Sequence, residues 1–195
     1  MNKKVSFNIS PAFCLLLSIM LLTLPLKWLF AAIIAAAYHE MCHIAAIRLC
    51  SADIHRLDIS ADGAKLNISS LSTAQELICT LAGPIGGLCL LPFARWIPRI
   101  AVCATFQSLY NLLPIYPLDG GRALWCGLVM IMDQRQAQRF SKVIEIICLS
   151  AIILTAIYGA VTLKLGLSAF FPAILIFMHT KFGKIPCKQW LQRLQ

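Results

Sequence analysis

An almost uninterrupted apolar stretch, residues 28–49, contains His39, Glu40 and His43 in the sequence HEMCH. The stretch can cross the hydrocarbon core of a bilayer as one helix, which takes about 20 residues. Ionisable side chains are costly at that depth, and their presence there indicates a functional site. This segment therefore predicts a membrane fold with polar chemistry inside it.

The spacing of the two histidines favours a metal site. Residues four apart share one face of a helix, so the imidazoles of His39 and His43 can reach the same ion. Glu40, beside the first of them, is placed to act as general base toward water at a zinc ion. The alternative is a pair of buried histidines that only hydrogen-bond to each other. The pattern predicts a zinc hydrolase that works within a bilayer.

Composition places the chain among integral membrane proteins. It is 59% hydrophobic and 13% charged, with a mean hydropathy of +0.79, whereas soluble domains carry about 25% charged residues. We expect one membrane domain over residues 1–195 with no C-terminal soluble domain. The net charge of +9 is explained by topology and lipid headgroups, and no nucleic-acid partner is expected. Most of the nine cysteines lie in apolar segments, where they act as small hydrophobes.

Hydropathy predicts an all-α polytopic membrane protein with about six transmembrane helices. Pro114 and Pro117 interrupt the fourth span, which is too long for one crossing and is predicted to be discontinuous. Polar residues 133–142 are predicted to form a connector. The predicted spans cover about residues 11–26, 28–49, 72–93, 99–132, 143–163 and 166–178.

A small β-hairpin is predicted between the second and third spans. Residues 51–71 alternate weakly, and Asp62-Gly63 is a common hairpin turn. Thr73 with Glu76 then fits a capping box at the start of the third span. If the N-terminus lies inside, 12 of the 17 Lys and Arg residues fall in inside segments. That excess predicts that both termini are cytoplasmic.

Asp119 is a candidate third metal ligand. It follows the two prolines of the interrupted fourth span and precedes Gly120 and Gly121. Irregular backbone at membrane depth is tolerated where it is buried in protein or lines a wet cavity. A carboxylate there needs a cation, which a zinc ion at the histidines supplies. The other candidate ligands are Asp53, His55, Asp58, Asp62, Asp133, Glu145 and His179.

Two motifs together resemble the site-2 protease family of intramembrane zinc metalloproteases. They are HEMCH and, in a later apolar segment, NLLPIYPLDGGR at residues 111–122. The second most resembles the branch that processes a sporulation sigma-factor precursor. The likeness covers about residues 28–132, which is the three-helix catalytic core of the family. Ala82-Gly83-Pro84 resembles a further family motif, although Gly86 and Gly87 follow where the family often has Asn.

The resemblance implies a zinc metalloendopeptidase with one Zn²⁺ per chain. It implies that His39, His43 and Asp119 bind the zinc, that Glu40 activates water, and that Asn111 and Pro114 lie near the substrate strand. The expected substrate is a transmembrane or membrane-associated protein, and the more specific expectation is a sigma-factor precursor. The expected location is a bacterial-type cell membrane.

Two other functions remain open on the sequence. A membrane metal transporter could use four of these residues as a transit site for the ion: His39, Glu40, His43 and Asp119. An inactive, protease-derived chaperone of membrane helices is disfavoured because Glu40 is present. A regulatory membrane partner is also expected, since an ungated protease would damage its own membrane. The sequence leaves the substrate's identity and the oligomeric state undetermined.

Overall fold

A computed structural model describes residues 7–9, 25–50, 54–60, 63–68 and 71–162. The chain divides into two compact units, Met1–Leu112 and Leu113–Gln195. The first and sixth predicted spans lie outside the described residues, apart from residues 25 and 26. The described part is mostly helical.

Helix α1 spans Leu26–Leu49 and carries the HEMCH sequence. Pro25, which fixes its own φ and precedes the first helical residue, starts it, and the N–H of Cys50 closes it on the carbonyl of Ala46 at 3.0 Å. The helix confirms the predicted second span and begins two residues earlier. Its buried residues are Leu29, Ala31, Ala35, His39 and Ile47.

Helix α2 spans Thr73–Leu88 and begins with a capping box. Ser72 is the N-cap: its hydroxyl accepts from the N–H of Gln75 at 3.3 Å, and Gln75 Oε1 accepts from the N–H of Ser72 at 3.0 Å. The predicted box of Thr73 with Glu76 was therefore wrong by one residue. Both pairs fit the sequence pattern, but it is Ser72 that has the extended backbone an N-cap needs.

The predicted fourth span is discontinuous, as expected. Helix α3 spans Pro98–Asn111 in the first unit, and helix α4 spans Asp119–Val129 in the second. Pro114 and Pro117 lie between them and remove two backbone donors that a continuous helix would need. The Tyr116–Pro117 peptide bond is cis.

Helix α5 spans Gln134–Thr162 in the second unit and packs with α4. Residues 133–142, predicted as a cytosolic or interfacial connector, are helical in all but Asp133 and continue directly into the apolar part of α5. Gln, Arg, Lys and Ala dominate this stretch, and they are strong helix formers whose polarity does not stop a helix. The carbonyl of Asp133 accepts from the N–H of Ala137 at 2.9 Å and starts the helix.

Three helical segments of the described residues are long and apolar enough to cross a membrane. They are Leu26–Leu49, Thr73–Phe93 (α2 with a 3-10 turn at Leu91–Phe93) and Gln134–Thr162. At most 28% of the apolar window in each is buried within the chain. The remaining apolar surface is available to lipid, which fits integration into a membrane.

Small residues let α1, α2 and α3 pack closely in the first unit. A Cβ at Gly86 would overlap the sulfur of Cys42 on α1. A Cβ at Gly87 would overlap the hydroxyl of Ser108 and approach the carbonyl of Ala104 to 3.2 Å on α3. The two glycines therefore permit close helix packing.

The described strands form one three-stranded sheet. The strands are β1 (Phe7–Ile9), β2 (Ile54–Ser60) and β3 (Gly63–Ile68). β2 lies in the middle, parallel to β1 and antiparallel to β3. Ser60 pairs with Gly63, and the ladder has an irregularity between Ile54 and Arg56.

Candidate metal centre

His39 and His43 face each other on one side of α1. Their Nε2 atoms are 3.1 Å apart, and their rings meet edge to face with centroids 4.8 Å apart. The i, i+4 spacing of the helix produces this convergence, as predicted from the sequence. His39 is buried with 3% of its surface exposed, and His43 is half-buried. Two imidazoles thus share one small polar volume on one face of an otherwise apolar helix.

A backbone contact fixes the protonation pattern of His43. Its Nδ1 lies 2.7 Å from the carbonyl oxygen of Cys79 on α2. A carbonyl can only accept, so Nδ1 carries the proton and donates it. The lone pair of the neutral ring is then on Nε2, which faces His39. Metal-binding histidines are commonly oriented by such a bond from the second ring nitrogen.

Asn111 lies beside His39. Its Nδ2 lies 3.2 Å from His39 Nε2, and an amide NH₂ group can only donate. The Nε2 atoms of the two histidines lie 3.1 Å apart, so both can bind one metal ion, and the Asn111 amide lies at the edge of the same volume.

The distance between the two nitrogens fits zinc. Zinc binds imidazole nitrogen at about 2.0–2.1 Å in tetrahedral geometry, which separates two such ligands by about 3.3–3.4 Å. The observed 3.1 Å differs from that by a few tenths of an ångström. The pair can hold zinc without rearrangement of α1.

Gly83 keeps the space beside the imidazoles open. A Cβ at this position would overlap His43 Nε2 and lie 2.6 Å from His43 Cε1 and 2.8 Å from His39 Nε2. Any side chain would therefore fill the volume that a metal ion or a water molecule needs. The Ala82-Gly83-Pro84 motif was noted in the sequence, but only the fold shows that Gly83 lies beside the histidines.

Glu40 lies on α1 immediately after His39 and is half-buried. Its backbone position follows from the regular helix. Its role as a base stays a prediction.

In the second unit, Asp119 is the first residue of α4 and is half-buried. Leu118 before it is extended, with φ −61° and ψ 159°. A carboxylate in the first turn lies at the positive end of the helix dipole, which stabilises its charge. The break between α3 and α4 therefore delivers a charged oxygen donor at a helix start.

Gly121 allows the interrupted segment to fold back on α4. A Cβ there would lie 2.5 Å from the carbonyl carbon of Ile115 and 2.6 Å from the nitrogen of Tyr116. Ile115 is completely buried, and Pro114 is half-buried. The second glycine of Asp-Gly-Gly is thus required by a backbone contact, and this contact fixes the turn that precedes Asp119.

Together, the fold and the histidine pair define a membrane protein with a candidate metal centre among its helices. The side chains of His39 and His43 offer two imidazole nitrogens that could bind a metal ion. Among solved structures, the fold is similar to that of the site-2 protease from Methanocaldococcus jannaschii. The TM-score is 0.65 over 94% of this chain and 92% of that chain, at 15% sequence identity. No family model matches the sequence, and no curated protein matches it.

Proposed function

We propose that this chain is an intramembrane zinc endopeptidase of the site-2 type. The observation that carries the proposal is the convergence of His39 Nε2 and His43 Nε2 at 3.1 Å on a membrane-length helix. The similarity of the fold to a site-2 protease supports it. The proposed substrate is a transmembrane or membrane-associated protein. The more specific proposal is a sporulation sigma-factor precursor.

The proposed zinc ligands are His39, His43 and Asp119, with one Zn²⁺ per chain. When bound, zinc polarises a carbonyl and lowers the pKa of water from about 16 to about 7. Glu40 takes a proton from the attacking water and passes it to the nitrogen of the departing amine. Its place on α1 next to His39 supports this role.

Asn111 is proposed to donate from its amide to the substrate carbonyl as negative charge develops on the oxygen. Its Nδ2 already reaches the imidazole pair, 3.2 Å from His39 Nε2. Pro114 lies three residues later, in the interrupted segment, and is proposed to border the substrate strand.

An apolar groove of about 760 Å³ between α1 and α3 offers a path for the substrate. Its α1 wall includes Trp28, Ala32 and Ala36, and the next position of this i, i+4 row is Glu40. We therefore propose that a substrate transmembrane segment approaches along this groove. The lining residues are Pro25, Trp28, Ala32, Ala36, Val102, Cys103, Phe106 and Gln107.

The α3 wall of the groove points to the same end. Cys103 and Gln107 are four residues apart, and the next position of their row is Asn111. Both walls thus lead from an apolar surface to a residue proposed to act in peptide hydrolysis.

An intact substrate helix hides its amide groups, so it must unwind before cleavage. We propose that the region 51–71 forms a hairpin whose edge holds the unwound strand by β-addition. Proline substitutions along this edge should reduce cleavage while zinc is retained; unchanged cleavage would refute the idea.

We also propose a topology for the chain. It forms a single domain over residues 1–195, crosses the membrane six times and has both termini in the cytoplasm.

The test compares wild type with Glu40→Gln and with Glu145→Gln, a matched control on α5. Each is reconstituted with a model transmembrane peptide and with a sigma-factor precursor, and cleavage is followed by mass spectrometry. The proposal expects cleavage by wild type and Glu145→Gln and none by Glu40→Gln. Equal cleavage by Glu40→Gln would contradict the proposal. Zinc flux into liposomes without cleavage would favour a transporter instead.

A further inference from the structure

Two thiols meet at the C-terminal end of α1, and one of them belongs to a residue whose carbonyl contacts His43. Cys50 follows α1 directly and is half-buried, and Cys79 is buried on α2. Their sulfur atoms are 3.8 Å apart. The carbonyl of the same Cys79 accepts the hydrogen bond from His43 Nδ1 at 2.7 Å. A covalent change at this thiol pair would therefore act on the residue that orients an imidazole.

We propose that Cys50 and Cys79 are a redox modification site that forms a reversible disulfide in the presence of a hydroperoxide. The sulfur atoms need to approach by about 1.8 Å to reach the S–S bond length of about 2.05 Å. Cys50 is the C-cap of α1, and rotation about the side-chain torsions of the two cysteines can supply part of this movement.

The chemistry balances with one hydroperoxide. The more accessible thiol, Cys50, attacks a peroxide oxygen; the O–O bond breaks, an alcohol leaves, and Cys50 becomes a sulfenic acid. The sulfur of Cys79 then attacks the Cys50 sulfur, the S–S bond forms, and water leaves. Two thiols and one hydroperoxide yield one disulfide, one alcohol and one water, and the thiols lose the two electrons that the peroxide gains.

The disulfide would weaken metal binding at the imidazole pair. It ties the end of α1 to Cys79 and shifts the carbonyl that holds His43. Loss of a hydrogen-bond partner behind a ligand typically costs 10–100-fold in metal affinity. This consequence rests on the proposed function, whereas formation of the disulfide does not.

The test uses the full-length protein in detergent, exposed to cumene hydroperoxide and then alkylated. Peptide mapping by mass spectrometry should show a Cys50–Cys79 cross-link in wild type that dithiothreitol reverses. The cross-link should be absent from Cys50→Ser and present in Cys89→Ser, a control that removes an exposed cysteine. Failure to detect the cross-link in oxidised wild type would overturn the proposal.

A second readout follows zinc affinity before and after oxidation. We expect a loss of about 10-fold or more in wild type, recovered on reduction, and no change in Cys50→Ser. A reversible cross-link with unchanged zinc affinity would overturn the coupling to His43. The peptide map needs neither zinc nor a substrate, so a failure of the protease proposal would be told apart from a failure of this one.

Discussion

The side-chain amide of Asn111 lies 3.2 Å from Nε2 of His39, although 72 residues separate them in the chain. The contact joins the end of α3 to the middle of α1, at the point where the two imidazoles converge. A donor in that position can serve the oxygen of a bound substrate as well as the imidazole it now touches.

Replacing Asn111 with Ala should therefore reduce catalysis more than zinc binding. Removal of one donor to a developing oxyanion typically costs about 10²–10³-fold in kcat. We expect that loss in peptide cleavage with zinc content unchanged. Gln136→Ala, which removes an exposed side-chain amide on α5, is the control and should retain the activity. Wild-type cleavage by Asn111→Ala would show that the residue only supports the fold.

A side chain at position 83 should abolish zinc binding. The Cβ of Gly83→Ala would overlap His43 Nε2 and lie 2.8 Å from His39 Nε2. We expect zinc, measured by mass spectrometry, to fall to background.

Gly127→Ala is the control for that substitution. It is also a helical glycine, and a Cβ there meets nothing within 4 Å. This variant should bind zinc like wild type and be equally or more stable. Normal zinc content in Gly83→Ala would mean that Gly83 does not border the metal volume.

Blocking the groove between α1 and α3 should affect the substrate and leave the metal in place. Ala36 lines this groove, and Ala36→Phe would fill part of its 760 Å³. We expect a lower kcat/KM for a transmembrane peptide with zinc unchanged. Ala37→Phe, an exposed neighbour on the same helix, is the control. Equal kinetics for the two variants would rule out this path.

The backbone contact at Gly121 predicts a stability effect in the second unit. A Cβ there would lie 2.5 Å from the carbonyl carbon of Ile115. Gly121→Ala should lower the free energy of unfolding by about 1–3 kcal/mol, which is typical of overpacking. Thermal unfolding in detergent measures the effect, with Gly127→Ala on the same helix as reference. An unchanged midpoint would show that the turn before Asp119 can relax freely.

Local features of this fold followed from the sequence. The helix around HEMCH was predictable from apolar length, and the break in the fourth span followed from two prolines that lack a backbone donor. The N-cap residue of α2 could not be predicted from the sequence, because Ser72 and Thr73 both fit the first position of a capping box. Only the backbone conformation, which is extended at Ser72, identifies the N-cap. The early start of α5 at Gln134 was missed, because polarity indicates where a chain leaves the membrane and not where a helix ends.

Contacts between helices could not be read from spacing. The approach of Asn111 to His39, of Gly83 to both imidazoles, and of the Cys79 carbonyl to His43 depends on how α1, α2 and α3 pack. Asn111, Gly83 and the two histidines belong to motifs that the sequence shows, whereas Cys79 belongs to none, and only the packing gives these residues a geometric relation. The roles of Glu40, Asp119 and Pro114 stay predictions.

The most direct test is the zinc content of purified wild type, His43→Ala and His179→Ala, a control that removes a histidine outside α1. We predict close to one zinc per chain in wild type and in His179→Ala, and little or none in His43→Ala. Wild type that lacks zinc, under conditions in which a known metalloprotease retains it, would contradict the account. Equal zinc in His43→Ala would contradict it as well, because the ion would then be held elsewhere.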